Sequence, residues 1–196
     1  MAIRLFQFPT SMFCEKARIV LTHKNLPYEI VNARDDERKG LIAFSGQKKV
    51  PVMDYDGQCI IDSTVICNFL EEKHPQQSIY PDNLRDKALC ILLEDWSDEV
   101  LYHSVHMQRS KEPPEVRKEG VERMHRNLND LEKLFGAKKG FIFDRITLAD
   151  IGIFVELHYL YTSVKSEVPA SYKNVHAWMD LMRQTLNLSD INDIAA

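Results

Sequence analysis

Phe8-Pro9-Thr10-Ser11-Met12-Phe13-Cys14-Glu15-Lys16-Ala17-Arg18 is the stretch that decides the fold. Before it, Ile3-Arg4-Leu5-Phe6-Gln7-Phe8 has the alternation of a strand. After it, Ala17, Val20 and Leu21, with Ile19 beside them, recur at helical spacing. Pro9 cannot continue a strand, and Thr10 and Ser11 are both good N-cap residues. The reading is strand, tight turn, helix. Such a junction aims unpaired backbone N–H groups and the positive end of a helix at whatever lies before it, and here it adds a hydroxyl and a thiol. An anion, or a thiol about to lose its proton, is the natural guest.

The chain is 196 residues long, enough for one domain or two small ones with a real core. Hydrophobic residues make up 44% and charged residues 28%, as in ordinary water-soluble proteins. A formal charge of −4 gives no reason to expect nucleic acid or an anionic membrane as partner. Met1-Ala2-Ile3-Arg4 runs straight into the strand pattern, so no signal peptide is expected, and no apolar run reaches the roughly 18 residues of a spanning helix. Cys14, Cys59, Cys67 and Cys90 form no Cys-x-x-Cys pair, and no histidine completes a zinc spacing, so no metal site is expected. Scattered cysteines point to a reducing, cytoplasmic setting. Cys59, Cys67 and Cys90 lie in apolar surroundings and read as core residues.

Further along, Asn25-Leu26-Pro27 ends the first helix and Tyr28-Glu29-Ile30-Val31-Asn32 alternates as a second strand. The charged run from Arg34 to Lys39 leads into a short helix ending near Phe44-Ser45-Gly46. Val50 to Asp54 and Gln58 to Ile61 flank Tyr55-Asp56-Gly57, where Asp-Gly marks a hairpin. Asp62 or Ser63 then caps a helix with Val65, Ile66, Phe69 and Leu70 as apolar positions, ending at His74-Pro75. The order β-α-β-α-β-β-α is the thioredoxin-like pattern with a mixed four-stranded sheet. Residues 1–75 read as that domain, 76–82 as a polar, proline-bounded linker, and 83–196 as an all-helical domain. Its helices run from Leu84 to about Ser110, Glu115 to Phe135 (ended by Gly136 to Gly140), Thr147 to about Thr162, and Tyr172 to Leu186. The third of these is apolar almost throughout and reads as the buried centre.

Taken together, the motifs resemble the glutathione transferase family. Ser11-Met12-Phe13-Cys14 before a helix starting Glu15-Lys16-Ala17-Arg18-Ile19 resembles its active-site turn, and more distantly the Cys-x-x-Cys turn of glutaredoxins. Lys48-Lys49-Val50-Pro51-Val52 resembles the family's Lys-Val-Pro segment, and Ile61-Asp62-Ser63-Thr64 its acidic-Ser segment. Ile146-Thr147-Leu148-Ala149-Asp150 resembles the capping box of its second domain. The four occur in the family's order, over nearly the whole chain. The nearest likeness is to serine-type members, of the theta and zeta kind found in bacteria.

The resemblance implies a fold and a site. The fold is a thioredoxin-like domain followed by a helical bundle. Glutathione is the co-substrate, and Ser11 hydrogen-bonds its sulfur; Thr10 stands one residue away as an alternative. Cys14 matches the buried position of the glutaredoxin pair, its other possible role being a nucleophile. Pro51 matches a cis-proline that turns the Val50 main chain toward the cysteinyl part of glutathione. Ser63 and the first N–H groups of its helix would take the γ-glutamyl carboxylate, and Asp62 the ammonium. Lys49, or less well Lys48, would approach the glycyl carboxylate. A homodimer and a small electrophilic, hydrophobic second substrate follow from the same likeness, as in detoxification. The rivals on this fold are a non-catalytic, stringent-starvation-like partner of RNA polymerase and a glutathione-dependent isomerase, dehalogenase or thiol reductase.

In the helical domain Trp96, Val100, His103 and Met107 form one stripe that reads as core. His103 and His106 have no cysteine or carboxylate spaced to complete a metal site. Glu94, Asp95, Asp98 and Glu99 read as a solvated acidic face, or one turned to a dimer partner.

Overall fold

The computed structural model describes residues 1–186; the end of the expected helical domain, residues 187–196, lies outside the described residues. Two compact units result, one of Met1–Ser78 and one beginning at Ile79.

In the first unit the elements are β1 (Ile3–Gln7), α1 (Met12–His23), β2 (Glu29–Asn32), α2 (Lys39–Ser45), β3 (Val52–Tyr55), β4 (Gln58–Ile61) and α3 (Ser63–Lys73). The sheet order is β2-β1-β3-β4. β1 runs parallel to β2, as a helical crossover requires, and antiparallel to β3. The β3–β4 hairpin turns on Asp56 and Gly57, both at positive φ (49° and 89°), which a two-residue turn of this hand needs. The Asp54 carboxylate pins that turn through the Gly57 N–H (2.7 Å) and pairs with Arg4 on β1.

α1 packs its buried side onto the sheet through Ala17, Ile19, Val20 and Leu21. Its end is tied by the Lys24 ammonium, wholly buried, which meets Glu71 at 2.7 Å and the His74 carbonyl at 2.8 Å. On the other side Phe6, Ala33, Leu41 and Val52 form a buried cluster, with Phe8, Phe44 and Val50 packed against it. Two readings need correction. Val65 faces outward on α3, and Cys59 is exposed, because β4 is the sheet's edge strand.

The second unit is all helical: α4 (Leu84–Trp96), α5 (Tyr102–His106), α6 (Pro114–Lys138), α7 (Leu148–Tyr159) and α8 (Lys173–Leu186). α4 and α5 are one helix interrupted by a wide π-helical turn at Ser97–Leu101, and α5 stops at His106, short of Ser110. The Trp96, Val100, His103, Met107 stripe is half-buried or exposed; Cys90, Ser97, Leu101, Ser104 and Val105 face inward instead. The extra residue in the wide turn rotates the faces that a 3.6-residue period would align. The acidic cluster also divides, with Glu94 buried and Asp95 and Glu99 exposed, since neighbouring helical residues point about 100° apart. α6 runs through Gly136 and ends at Lys138, with Lys139 in the left-handed region (φ 57°).

Every α7 residue from Leu148 to His158 is buried. The capping box forms, and Asp150 does more than cap. Its carboxylate accepts from the Thr147 N–H (3.1 Å) and hydroxyl (2.8 Å), the Ile142 N–H (3.0 Å) and the Trp178 indole N–H (3.2 Å). One buried acid thus joins the Ile142 segment, α7 and α8. Burial pushes its pKa up, while the four donors pull it back. Glu132 of α6 caps α8 from outside, accepting the Asn174 and Val175 N–H groups at 3.0 Å.

α4 and α7 approach closely at Gly152, where a Cβ would stand 2.5 Å from Ser97 Oγ. Gly152→Ala is therefore expected to destabilise the protein by roughly 1–3 kcal/mol in urea unfolding. Ser97→Ala in the same chain removes the clashing oxygen and should recover part of that loss, seen as a non-additive double-mutant cycle.

Candidate functional site

Three chain segments meet at one edge of the sheet because of register. Phe6 is opposite Val52, and Val52 opposite Ile61. Beyond that row lie the Phe8–Ser11 turn after β1, the Val50–Pro51 bond before β3, and Asp62–Ser63 after β4. The sequence-predicted residues Thr10, Ser11, Val50, Pro51, Asp62 and Ser63 belong to these segments, and Cys14 follows in the first turn of α1.

The turn closes through the Ser11 N–H, which donates to the Phe8 carbonyl at 3.1 Å. Ser11, not Thr10, is the N-cap: extended at φ −88°, ψ 122°, its Oγ accepts the Cys14 N–H at 3.4 Å. That leaves the hydroxyl proton for another acceptor. Thr10 is exposed. Cys14 is fully buried, and burial pushes its thiol pKa up, against the opposing effects of Ser11, the Phe8 main chain and Arg18. A buried thiol held protonated is a poor nucleophile at neutral pH.

The Val50–Pro51 bond is cis. The Val50 N–H and C=O have no hydrogen-bond partner among the described residues, so an extended main chain can pair with them as a strand would. Lys49 is exposed beside it, and the Lys48 carbonyl is held by Arg38 at 3.3 Å.

Asp62, not Ser63, caps α3: its Oδ1 accepts the Thr64 and Val65 N–H groups at 2.9 and 3.2 Å. Its main chain sits at φ 74°, ψ 134°, away from the left-handed well that asparagine and aspartate tolerate. Such backbone is retained where the surroundings over-determine it, which functional sites commonly do. It places the Ser63 N–H and hydroxyl at the start of α3 with no partner among the described residues.

Two residues that the sequence reading did not single out lie under the turn. Arg18 and Gln7 are buried, hydrogen-bonded to each other, and Arg18 Nη2 also reaches the Pro9 carbonyl at 3.4 Å. A polar residue at the last position of a central strand and an arginine on the buried face of a helix are the only signals of it in the sequence. In the helical unit His106 is stacked between Tyr102 and Tyr159, with ring centroids 3.8 and 5.4 Å away, and desolvation pushes its pKa down to about 4. Among the described residues no group of histidines, cysteines and carboxylates is placed to hold a metal ion. No helix among them is long and apolar enough to cross a membrane.

A mixed thioredoxin-like sheet carrying a capped turn, a cis-proline and an open helix N-terminus, joined to an all-helical unit, defines the class of protein with a glutathione transferase fold. Comparison with known proteins agrees. Residues 5–78 match the glutathione S-transferase N-terminal domain and residues 114–181 the C-terminal domain, and the chain belongs to the glutathione S-transferase family. A probable glutathione S-transferase of Nicotiana tabacum is 28% identical, covering 97% of this chain and 86% of its own length. A stringent starvation protein A homolog of Coxiella burnetii is 26% identical over 74% of this chain and 70% of its own. Among solved structures, a glutathione S-transferase of Methylobacillus flagellatus KT with glutathione bound superposes with a TM-score of 0.83 at 19% identity, covering 97% of this chain and 98% of that one.

The thiols test the burial pattern directly. In the native protein at mildly alkaline pH a maleimide or disulfide reagent is expected to label Cys59 alone. Cys14, Cys67 and Cys90 should react only after denaturation. Rapid labelling of native Cys59→Ser would contradict this.

Proposed function

We propose that the protein is a serine-type glutathione transferase that binds glutathione along the β1–α1 turn, the Val50 main chain and the α3 N-terminus, and presents its thiolate to a small, apolar electrophile. The observation that carries the reading is the convergence, at one edge of the sheet, of a capping hydroxyl with a proton to give, an unpaired Val50 main chain and an unpaired Ser63 N–H. Each suits one part of the tripeptide. Ser63 and its helix end take the γ-glutamyl carboxylate, and Asp62, whose Oδ2 has no described partner, takes the ammonium. Val50 pairs with the cysteinyl unit, and Lys49 meets the glycyl carboxylate. Ser11 donates to the sulfur.

A free thiol is only a few per cent ionised at neutral pH. Lowering its pKa by about two units takes roughly 2.7 kcal/mol of preference for the thiolate. A hydroxyl donor and a helix N-terminus together are of that order. The burial of Cys14 supports the serine reading over the disulfide-forming one.

Calorimetric titration with reduced glutathione, with the ultraviolet thiolate absorbance recorded alongside, tests the proposal. Wild type is expected to bind at micromolar to millimolar Kd and develop the thiolate band. Ser11→Ala should keep binding within a few-fold but lose the band and most conjugating activity. A band that persists in Ser11→Ala moves the role to Thr10. Absence of binding would favour the second reading, a partner-binding protein like the stringent starvation relative, whose 26% identity is the observation behind it.

We also propose a cytoplasmic homodimer. α4 leaves Leu84, Leu89, Ile91 and Leu92 exposed (82%, 43%, 47% and 61%), a concentration of apolar surface on one helix that calls for a partner. Light scattering should give twice the chain mass, and Leu92→Glu should shift it toward monomer.

A further inference from the structure

Arg18 is a buried cation whose described partners are all neutral. It is 3% exposed; its Nη1 donates to Gln7 Oε1, its Nη2 to the Pro9 carbonyl, and its Nε is buried with no partner among the described residues. Gln7 is wholly buried, and its amide nitrogen likewise lacks a partner. The titratable groups facing Arg18 are Cys14, on its own helix, and Tyr28, ahead of β2. Burial raises both of their pKa values, so neither supplies a counter-charge near neutral pH. Buried charges are normally paired, since an unpaired one carries a large desolvation penalty. An uncompensated guanidinium is therefore informative about what comes to it.

Position matters as well. Ser11, Cys14 and Arg18 stand at i, i+3 and i+7, one face of one helix. The Arg18 charge favours ionisation of the Cys14 thiol between them, though burial there outweighs it. The same charge lies behind the turn whose front carries the Ser11 hydroxyl.

We propose that Arg18 is a positioning residue for thiol chemistry at this turn: its guanidinium holds the Pro9 carbonyl and supplies a fixed positive charge that stabilises a thiolate at residue 11. The assignment rests on reading Ser11 as the group that meets the glutathione sulfur. Gln7 has a defined part in it. As a neutral acceptor it orients the guanidinium without cancelling its charge, which a glutamate there would do.

The test uses a thiol that needs no substrate. In a Ser11→Cys background, the pKa of the introduced thiol is read from its thiolate absorbance and from the pH dependence of alkylation. Adding Arg18→Gln is expected to raise that pKa by about one unit or more, making alkylation at neutral pH about tenfold slower. Arg18→Lys keeps the charge and should restore most of the loss. Gln7→Glu keeps the shape, neutralises the guanidinium and should raise the pKa in a protein that melts no lower than its parent; it carries the test if Arg18→Gln does not fold. An unchanged pKa in Arg18→Gln and Gln7→Glu overturns the proposal, and so does an Arg18→Lys protein that behaves like Arg18→Gln. Shifts as expected in a protein that binds no glutathione would sustain the charge assignment and remove the substrate reading, so the two fail separately.

Discussion

β1 is held from both sides, and the candidate site depends on that constraint. It pairs with β2 on one edge and β3 on the other, so its carboxyl end has a fixed place. The chain leaves that end, meets Pro9, and must turn before α1 packs back on the sheet. A turn after a central strand is one of the few places in an α/β unit where backbone N–H groups face outward from a rigid frame. The cis bond before β3 and the start of α3 are carried to the same edge by the ladder. The geometry needs no flexible element to assemble it.

The helical unit is organised around a different kind of constraint, polar groups inside an apolar core. Asp150 accepts four hydrogen bonds from three parts of the chain, so α7 cannot shift without stranding donors that are costly to leave unmade. Gly152, two residues on, admits the Ser97 hydroxyl against the helix backbone. The wide turn at Ser97–Leu101 accompanies that close approach and decides which residues of α4 and α5 face inward.

That turn also explains what was legible in the sequence. The four strands, the Asp-Gly hairpin and the helix starts at Ser11 and Thr147 are local matters of alternation, capping and turn chemistry, and each reads off a few neighbouring residues. So does the mixed sheet, from the element order. What periodicity misplaces lies where one extra residue breaks the 3.6 repeat: the π-helical turn rotates the Trp96–Met107 stripe off the buried face. Cys59 was misplaced for another reason. Its neighbours Ile60 and Ile61 are apolar, but only the strand order reveals that β4 is an edge. Ser11, Val50, Pro51, Asp62 and Ser63 were visible through resemblance to a family pattern. Arg18 and Gln7 were not, since an arginine early in a helix reads as a solvated residue until burial is known.

Fold alone leaves the activity open, because partner-binding and catalytic proteins share this architecture. The separating argument is energetic and sits in two places. Asp62 holds a main-chain conformation that is unfavourable for a non-glycine residue, and the result is an α3 start whose Ser63 N–H and hydroxyl are left for a guest. Arg18 holds a charge out of water with only neutral company. A surface used merely to dock another protein gains nothing from either arrangement, and both would be relieved by single substitutions, Asp62→Gly and Gln7→Glu. On the proposed reading an anionic tripeptide with an ionising thiol would use both, its carboxylate at the α3 start and its sulfur at the turn in front of Arg18. Two costly features that one proposed ligand would use together argue for that proposal more strongly than any single motif of the sequence.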